Sequence, residues 1–329
     1  MKKQQYITLA HGNGGRLMHE LVGRLKARFS NAILNEMADA AEMRLGRNRI
    51  AFSTDSFVVR PLSFPGGDIG KLAVCGTVND LSMKGARPFV ISLALIIEEG
   101  LAIDTFERIA DSIAQEASQA HVQIVTGDIK VVEKGAADRI FINTAGIGLI
   151  EGKSVGAEAR PGDAVIVNGP IAEHGMAVLE ARERLGFVSN IKSDCRCLHK
   201  EVQRCLSVSK NISVMRDPTR GGVATSLNEV AKASKLGIEI DEKEIPIRKN
   251  VGKMCDVLGF DPLYVANEGK FLVFAPAQDA LKIKKAIGPQ AKIIGRVVRQ
   301  HLGDVYLRTI LGSSRILPML ETDQLPRIC

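Results

Sequence analysis

Five aspartates stand where a strand-like run ends or a glycine turn begins, and they are the residues in this sequence whose placement most suggests chemistry. They are Asp55, Asp68, Asp80, Asp128 and Asp217. Strand ends are where α/β folds collect ligands. Because Mg²⁺ prefers oxygen ligands and usually reaches protein through a few carboxylates plus nucleotide phosphates, aspartates that converge on one crevice would suit a metal–nucleotide site. Each aspartate by itself is also explained as a turn or helix cap.

Two glycine-rich segments could hold phosphate. In residues 11–15, His-Gly-Asn-Gly-Gly, glycines would let backbone N–H groups turn towards an anion. The spacing of a Walker loop is absent, and no strand precedes the segment as a dinucleotide-binding loop requires. The second segment, Arg220-Gly221-Gly222, opens a predicted helix, where helix amides and a guanidinium could meet a phosphate. A capped helix start explains it equally well.

A thiol stands at the last position, Cys329. The segment 311–329 contains Gly312, Pro318 and Pro326 and shows no sustained helix or strand period, which favours an extended, weakly ordered arm. Such an arm of about 18 residues could reach roughly 60 Å. It could carry a group on sulfur into an active site or out to another protein. The simpler interpretation is that chain termini fray and that any residue can come last.

Composition indicates a soluble protein with two domains. The 329 residues are 45% hydrophobic and 25% charged, which suffices for two ordinary cores. The net charge of +7 favours anionic partners, but aromatic residues are only 4% and Trp is absent, so no nucleic-acid interface is expected. The apolar run after Lys3 breaks at His11, so we expect no signal peptide. The longest apolar segment, 89–97, is too short to cross a bilayer and predicts a buried strand and no membrane association.

Six cysteines are spread along the chain without a disulfide framework, which indicates reduced thiols and a cytoplasmic location. One cluster, at Cys195, Cys197, His199 and Cys205, could hold a metal. Its spacing matches no familiar zinc pattern, and all four residues could instead lie on a single amphipathic helix.

The order of elements predicts two mixed α/β domains and a tail. In the first half, strands at 50–54, 89–97, 122–125 and 140–150 alternate with helices at 69–83 and 105–120. Glycines and Pro161 cluster at 151–162 and mark a boundary. The second half has predicted strands at 164–167, 238–240, 271–274 and 292–297 and predicted helices at 172–185, 194–207, 222–234 and 278–287. We therefore divide the chain into domains 1–155 and 156–310 and a tail 311–329.

Several motifs, taken in order, carry a resemblance that covers essentially the whole chain. They are His11 to Gly15, Phe52-Ser53-Thr54-Asp55-Ser56, Gly66 to Asp80, Val125-Thr126-Gly127-Asp128-Ile129-Lys130, Arg216 to Gly222, Asn267-Glu268-Gly269 and the closing Pro326-Arg327-Ile328-Cys329. The chain resembles the ATP-binding superfamily of aminoimidazole ribonucleotide synthetase and selenophosphate synthetase, and within it the HypE family of carbamoyl dehydratases of [NiFe]-hydrogenase maturation. The terminal Pro-Arg-Ile-Cys is the most specific motif. Selenophosphate synthetase normally has a reactive cysteine or selenocysteine near its first glycine loop, whereas the first cysteine here is Cys75.

The resemblance implies an activity, cofactors and partners. The implied fold is α/β, with two domains of the aminoimidazole ribonucleotide synthetase type and a flexible C-terminal tail. The implied cofactors are ATP and Mg²⁺. A carbamoyltransferase, HypF, would load a carboxamide onto Cys329, and ATP-dependent dehydration would convert it to a thiocyanate. The cyano group would pass to iron on a HypC–HypD scaffold, and the enzyme would be a homodimer with nucleotide near the subunit interface.

The resemblance also assigns roles to individual residues. Asp55, Asp80 and Asp217 would hold magnesium, and nucleotide contacts would come from Asp55, Asp68, Asp80, Gly127 and Asp128. Cys329, Glu268 and Lys130 would carry the chemistry, with Glu268 as the general base.

Two other functions remain open on the sequence. The first is a synthetase of the same superfamily that phosphorylates a small molecule, with the tail cysteine incidental. The second is a nucleotide-gated carrier that presents Cys329 to a partner without chemistry of its own.

Overall fold

The computed structural model describes residues 7–12, 15–29, 31–183, 190–321, 324–325 and 327–329. Asn13 and Gly14 of the first glycine loop, and Pro326 of the terminal motif, lie outside the described residues. In the described chain two sheets, each covered by helices, form an N-terminal and a C-terminal α/β domain, as the sequence predicts.

The N-terminal sheet has five strands in the order β1-β2-β7-β5-β6. Their bounds are β1 Ala41–Leu45, β2 Asn48–Phe57, β5 Arg87–Glu98, β6 Gln123–Val132 and β7 Ile140–Leu149. The short strands β3 Ser63–Phe64 and β4 Gly67–Asp68 form a separate pair. Strands β5 and β6 are parallel because helix α3 crosses over between them, while the other neighbours are antiparallel. Strand β6 lies at the edge of this sheet.

Two helices cover one face of this sheet and a third precedes it. Helix α1 is Arg16–Phe29, α2 is Ile69–Met83 and α3 is Ile103–Ala120. Nearly every residue of α2 is buried, since it lies between the sheet and the C-terminal domain. Helix α3 buries one stripe, Ile109, Ile113 and Ala117, whose spacing of four residues places them on one face.

The C-terminal sheet has seven strands in the order β14-β13-β10-β12-β8-β11-β9. Their bounds are β8 Asp163–Val167, β9 Val214–Arg216, β10 Gly237–Asp241, β11 Leu272–Pro276, β12 Lys292–Val298, β13 Val305–Arg308 and β14 Ser314–Ile316. The helices are α4 Glu173–Glu183, α5 His199–Val208, α6 Gly222–Ser234, α7 Lys249–Leu258 and α8 Ala277–Ile287. Strand β8 is buried along its whole length, which explains the continuous apolar sequence of residues 164–167.

The tail is better ordered than the sequence predicts. Strand β14 pairs with β13, so the predicted lack of a strand is wrong. Leu317, Leu325 and Ile328 are buried, and the backbone N–H of Val58 donates a hydrogen bond of 3.2 Å to the terminal carboxylate of Cys329. Aliphatic side chains spaced along a segment without regular period dock individually, which a search for periodicity does not detect.

Three predicted elements differ from those observed. The helix expected at 194–207 begins only at His199, so Cys195 and Cys197 lie in the segment before it. The strand expected at 122–125 is the ten-residue β6, which is exposed along most of its length. The strand expected to be buried at 89–97 is only partly so, with Phe89 48% exposed. Both strands are exposed because no other layer of the described chain covers one face of the sheet there.

A search of the described residues for a bilayer-crossing helix found none with the required length and apolar character.

Candidate active site

Five of the predicted site residues line one cavity of about 480 Å³ between the two domains. They are Asp55, Asp80, Asp217, Glu268 and Cys329. Asp55 and Asp80 come from the N-terminal domain, Asp217 and Glu268 from the C-terminal domain, and Cys329 from the tail. The structure thus brings three separate parts of the chain to one place.

Close packing of α2 against β2 places the first two carboxylates together. A Cβ at Gly76 would lie 2.8 Å from the ring of Phe57, so only glycine permits this approach. Asp55 Oδ2 would lie 3.6 Å from the same point. Asp80 is one helical turn beyond Gly76 on the same face, and its Oδ2 accepts a 2.5 Å hydrogen bond from Ser53 Oγ. Asp80 therefore projects from a helix and not from a strand end.

Backbone hydrogen bonds from both domains fix the position of Glu268. The buried carboxylate of Asp194 accepts from the backbone N–H groups of Glu268 at 3.2 Å and Gly269 at 3.0 Å. Asn79 Nδ2, on α2, donates to the carbonyl oxygen of Glu268 at 3.3 Å. Lys270 Nζ lies 3.1 Å from Asp194 Oδ2 and balances its charge. The backbone of Glu268 is thus held in place by partners that leave its carboxyl group unused.

The docked tail brings the terminal thiol to this cavity. Arg182 donates to the carbonyl oxygen of Arg327 at 2.6 Å, and Arg327 Nε donates to the carbonyl oxygen of Val58 at 3.2 Å. His174 Nε2 lies 3.0 Å from the carbonyl oxygen of Ile328, so this nitrogen carries the proton. Burial lowers the pKa of His174, which keeps the ring neutral in this arrangement.

The carboxylates of the cavity repel one another in a poorly hydrated space. Burial, followed by the charges of Asp217 and Asp55, raises the pKa of Asp80 well above its usual range. Burial and the charge of Asp39 raise the pKa of Asp217 to about 8. Burial is also the main cause of the raised pKa of Glu268. Oxygen donors that resist ionisation until a cation joins them are suited to Mg²⁺, so Asp55, Asp80 and Asp217 fit the ion that the sequence predicts.

The Arg220 guanidinium faces the carboxylates across the cavity. Arg220 Nη2 lies 3.9 Å from Asp55 Oδ1. The negative charge of Cys329, the last residue, is the largest influence on Arg220 and raises its pKa. As predicted, Arg220 stands just before a helix, since α6 begins at Gly222. A guanidinium beside a helix N-terminus can bind an anion such as a phosphate.

Comparison with known proteins decides the family. A family model described as AIR synthase related protein, N-terminal domain, matches residues 37–150, and the corresponding C-terminal domain model matches residues 160–308. The carbamoyl dehydratase HypE of Rhodobacter capsulatus is 44% identical over 337 residues, covering 99% of each chain. The chain belongs to the HypE family. The resemblance read from the sequence motifs is therefore confirmed.

Solved structures of HypE proteins share the fold. A HypE in a HypE–HypF complex is 46% identical with a TM-score of 0.86, covering 93% of this chain and 100% of that one. A HypE in complex with ATP is 43% identical with a TM-score of 0.83, covering 98% and 100%. The two-domain α/β fold predicted from the sequence is that of the HypE family.

Four predicted site residues lie away from the cavity of this HypE family member. Asp68 caps α2, where its Oδ1 accepts from the backbone N–H of Lys71 and from Ser112 Oγ, both at 2.8 Å. Gly127, Asp128 and Lys130 lie on the edge strand β6. The Lys130 ammonium and the Asp128 carboxylate form an exposed ion pair at 2.8 Å.

The pairing of strands puts Asp128 and Lys130 on the sheet face opposite to Asp55. Asp55 is paired with Thr144, and Thr144 with Leu93, so these side chains share the face covered by α2. Asp128 is paired with Ala94, the next residue along β5. Because side chains alternate along a strand, Asp128 and Lys130 lie on the uncovered face.

Two residues that contribute to the site are missing from the sequence-based prediction. Asp39 Oδ1 forms a 2.7 Å ion pair with Arg216 Nη1, and burial raises the pKa of Asp39 to about 6. Asp39 precedes β1 without a glycine turn, so no local pattern marks it. Arg216 stands directly before Asp217, and that adjacency to a candidate ligand is the signal that could have revealed it.

Removing the Asp217 carboxylate is expected to stabilise the Mg²⁺-free chain at alkaline pH. Folding raises the pKa of Asp217 from 3.8 to about 8. The protonated carboxyl group therefore makes its full contribution to stability when the pH is below 3.8. That contribution is lost as pH rises through about 8, because the unfolded chain ionises freely. Asp217→Asn keeps a neutral side chain at every pH. Because raising a pKa by about four units corresponds to roughly 5 kcal/mol, we expect a gain of that order at about pH 8.5 and no gain near pH 4.

Thermal unfolding in chelator across this pH range measures the effect. Asp256→Asn, an exposed carboxylate on α7, is the matched control and should show no such pH trend. A gain for Asp217→Asn that is equal at both ends of the range would contradict the assigned pKa.

Proposed function

We propose that this chain is an ATP-dependent carbamoyl dehydratase that acts on a carboxamide carried by Cys329. The product is a thiocyanate, whose cyano group becomes a ligand of the iron in [NiFe]-hydrogenase. The single observation that carries the proposal is that Cys329 shares its cavity with Asp55, Asp80, Asp217 and Glu268. Substrate sulfur, candidate magnesium ligands and a candidate base lie together without any rearrangement of the two domains.

The chemistry requires phosphoryl transfer before dehydration. In the S-carboxamide the amide oxygen is a very poor leaving group. When that oxygen attacks the γ-phosphorus of ATP, the P–O bond to ADP breaks and the oxygen becomes part of a phosphate ester. The C–O bond then breaks and phosphate leaves with its electron pair. Nitrogen gives up both of its protons, and the carbon–nitrogen triple bond forms. The net loss from the carboxamide is one water.

Position and charge account for most of the catalysis in such a transfer. Mg²⁺ held by Asp55, Asp80 and Asp217 would neutralise charge on the triphosphate. Arg220, beside the N-terminus of α6, is placed to hold a phosphate oxygen. Each of these groups is fixed by packing, so little reorganisation accompanies the reaction.

Glu268 is the proposed base for the amide protons. Its carboxylate is buried in the cavity, and its raised pKa gives it a stronger affinity for protons than an exposed glutamate has. Arg220 opposes this shift and favours the ionised form. The backbone bonds from Asp194 and Asn79 fix Glu268 without consuming its carboxylate.

The docked tail represents one of at least two positions that the reaction needs. Loading and unloading of Cys329 by other proteins require the tail to leave the cavity. Leu325 and Ile328 are the buried side chains that such a release would expose. Burial of these two side chains stabilises docking by about 1.5–3 kcal/mol each, and the hydrogen bonds of the tail with Arg182, His174 and Val58 add to it. Release would break these contacts together.

We assign the partners by the same reasoning. HypF would load Cys329, in keeping with the solved HypE–HypF complex of a relative. The HypC–HypD scaffold would accept the cyano group. We place the reaction in the cytoplasm, because cysteines that form no disulfide in the described chain suit a compartment that keeps thiols reduced.

Single-turnover ATP hydrolysis separates this proposal from its two rivals. The loaded full-length chain should release phosphate, whereas the unloaded chain and a chain truncated before Leu325 should not. A small-molecule synthetase would hydrolyse ATP with its substrate in the truncated chain. A nucleotide-gated carrier would bind ATP without hydrolysis even when loaded. Either result would contradict the dehydratase proposal.

The uncovered face of the N-terminal sheet is the proposed surface for a second copy of the chain. Ile96 on β5 and Phe52 on β2 lie on this face and are 44% and 38% exposed. Lys130 is the strand partner of Ile96 and lies on the same face. Face-to-face packing of two such sheets would form a homodimer and place Lys130 and Asp128 beside the other subunit's nucleotide. In this arrangement both residues could contact nucleotide, which they are too far from the cavity to do in the isolated chain.

A charge on this face is expected to dissociate the dimer. Ile96→Lys would bury an ammonium group beside Lys130 in the interface, at a cost of several kcal/mol. Light scattering after size exclusion at micromolar concentration should show half the mass of the parental chain. Leu311→Lys is the matched control, because Leu311 is a 94% exposed leucine in the tail. A parental mass for Ile96→Lys would rule out this interface.

A further inference from the structure

Three side chains from three separate segments meet away from the nucleotide cavity, at the junction of the two domains. Cys75 lies on α2, Glu116 on α3, and Cys197 in the segment of the C-terminal domain before α5. Cys197 Sγ is 3.4 Å from Cys75 Sγ, and Cys75 Sγ is 3.8 Å from Glu116 Oε2. All three ligand atoms lie within 4.8 Å of one another. The proposed dehydratase chemistry uses none of them.

The spacing of these atoms matches the edges of a tetrahedral zinc site. Zn–S bonds of about 2.3 Å and Zn–O bonds of about 2.0–2.2 Å place neighbouring ligand atoms about 3.5–3.8 Å apart. The distances from Cys75 to its two partners fall at or close to this range. Two thiolates and one carboxylate are donors that Zn²⁺ accepts readily.

The charges around the cluster favour a divalent cation. Lys71 Nζ lies 3.3 Å from Glu116 Oε1. Two thiolates, one carboxylate, one ammonium and Zn²⁺ together carry no net charge, so the buried set would be electrically balanced. Without the metal, two protonated thiols, the carboxylate and the ammonium are also neutral together, so zinc binding would exchange two thiol protons for the cation at a place where Cys75 is fully buried and Glu116 is 9% exposed.

A further thiol stands near the three ligands. Cys195 is close enough to Cys75 to raise the pKa of the Cys75 thiol. The sulfur of Cys195 could supply the fourth position of a tetrahedral site.

We propose that Cys75, Glu116 and Cys197 form a structural Zn²⁺ site that joins the two domains. The set differs from the cysteine–histidine cluster considered on sequence, because Cys205 packs elsewhere, in the core under α5 and α8, and Cys75 and Glu116 come from the other domain. Only the fold brings these ligands together.

The site is linked to the nucleotide cavity through Asn79. Asn79 is one helical turn beyond Cys75, and its Nδ2 donates to the carbonyl oxygens of Arg196 at 3.1 Å and Glu268 at 3.3 Å. Its Oδ1 accepts from the backbone N–H of Leu198 at 2.8 Å. Zinc on Cys197 would hold the segment around Arg196 to α2 and so keep Asn79 aligned with Glu268.

Zinc binding is best measured in a chain whose competing metal sites are removed or already occupied. We would use the full chain with Cys329→Ala, excess Mg²⁺ and a non-thiol reductant, so that neither the tail thiol nor the acidic cavity takes up zinc. Mass spectrometry of bound metal should find about one Zn²⁺ per chain. Free Zn²⁺ about 100-fold above Kd should raise Tm by roughly 5 °C. Titration with Cd²⁺ should give the ultraviolet band of a metal–thiolate bond.

Matched variants identify the ligands. Cys75→Ser should reduce bound zinc to background, and the milder Glu116→Gln should weaken binding by about 10–100-fold. Cys255→Ser removes a buried cysteine on α7, outside the cluster, and should bind zinc as the parent does.

Three outcomes would overturn the site. The first is a parent that binds no zinc above background, and the second is equal retention of zinc in Cys75→Ser. The third is a Cys75–Cys197 disulfide in chains alkylated directly on extraction from cells, since oxidised sulfurs cannot serve as thiolate ligands. None of these outcomes bears on dehydration at Cys329, so the zinc site and the proposed function fail or stand separately.

Discussion

Cys329→Ala is expected to abolish thiocyanate formation completely while ATP still binds. The substitution removes the only thiol in the described chain that lines the nucleotide cavity. The side chain is half-buried at the chain terminus, and the tail is held by backbone bonds and by Ile328, so the fold should not change. Intact mass spectrometry after incubation with the loading system and ATP reads the product, and calorimetry reads nucleotide affinity.

Cys255→Ala is the matched control for this variant, because it removes a cysteine that lies outside the cavity. It should form thiocyanate as the parent does. Thiocyanate on any other cysteine of the Cys329→Ala chain would refute the role of the terminal thiol.

Glu268→Gln is expected to slow dehydration of the loaded chain by about 10²–10⁴-fold. The amide has nearly the same size and cannot accept the protons of the carboxamide nitrogen. Loading of Cys329 and ATP binding should continue, because Asp194 and Asn79 hold the backbone of residue 268 whatever its side chain. Quenched-flow sampling of the loaded chain with mass detection gives the rate.

The pH dependence of the same reaction shows whether Glu268 acts as a base or only fills space in the cavity. The raised pKa of Glu268 predicts that the parental rate rises with pH through a value above the usual glutamate range. This rise of the rate with pH should disappear in Glu268→Gln. Asp279→Asn, which alters a buried carboxylate on α8 outside the cavity, should keep the parental rate and profile. A parental rate in Glu268→Gln would exclude Glu268 as the base.

Residues with a local signal were found from the sequence. Asp217 precedes a Pro-Thr-Arg-Gly-Gly turn, and the turn does end at a helix start. The helix over 69–83 was predicted with the bounds that the structure has, and Asp68 caps it. The α/β class followed from alternation of such elements.

Residues placed by packing alone were not found. Asp39 reaches the cavity because β1 pairs with β2, and no pattern around it indicates that contact. Cys75 and Glu116 meet Cys197 only because α2 lies between the sheet and the C-terminal domain. Lys130 and Asp128 carry a clear motif, but strand register, which the motif does not encode, puts them on the sheet face opposite to Asp55.

The most direct test of the account is the intact mass of the loaded chain before and after ATP. Incubation with the carbamoyl donor system should add one carboxamide group to Cys329, and ATP with Mg²⁺ should then remove the mass of one water from that adduct. A non-hydrolysable ATP analogue should leave the adduct unchanged. Loss of water without ATP, or an adduct that ATP never alters, would contradict the claim that this cavity dehydrates a group carried on the terminal sulfur.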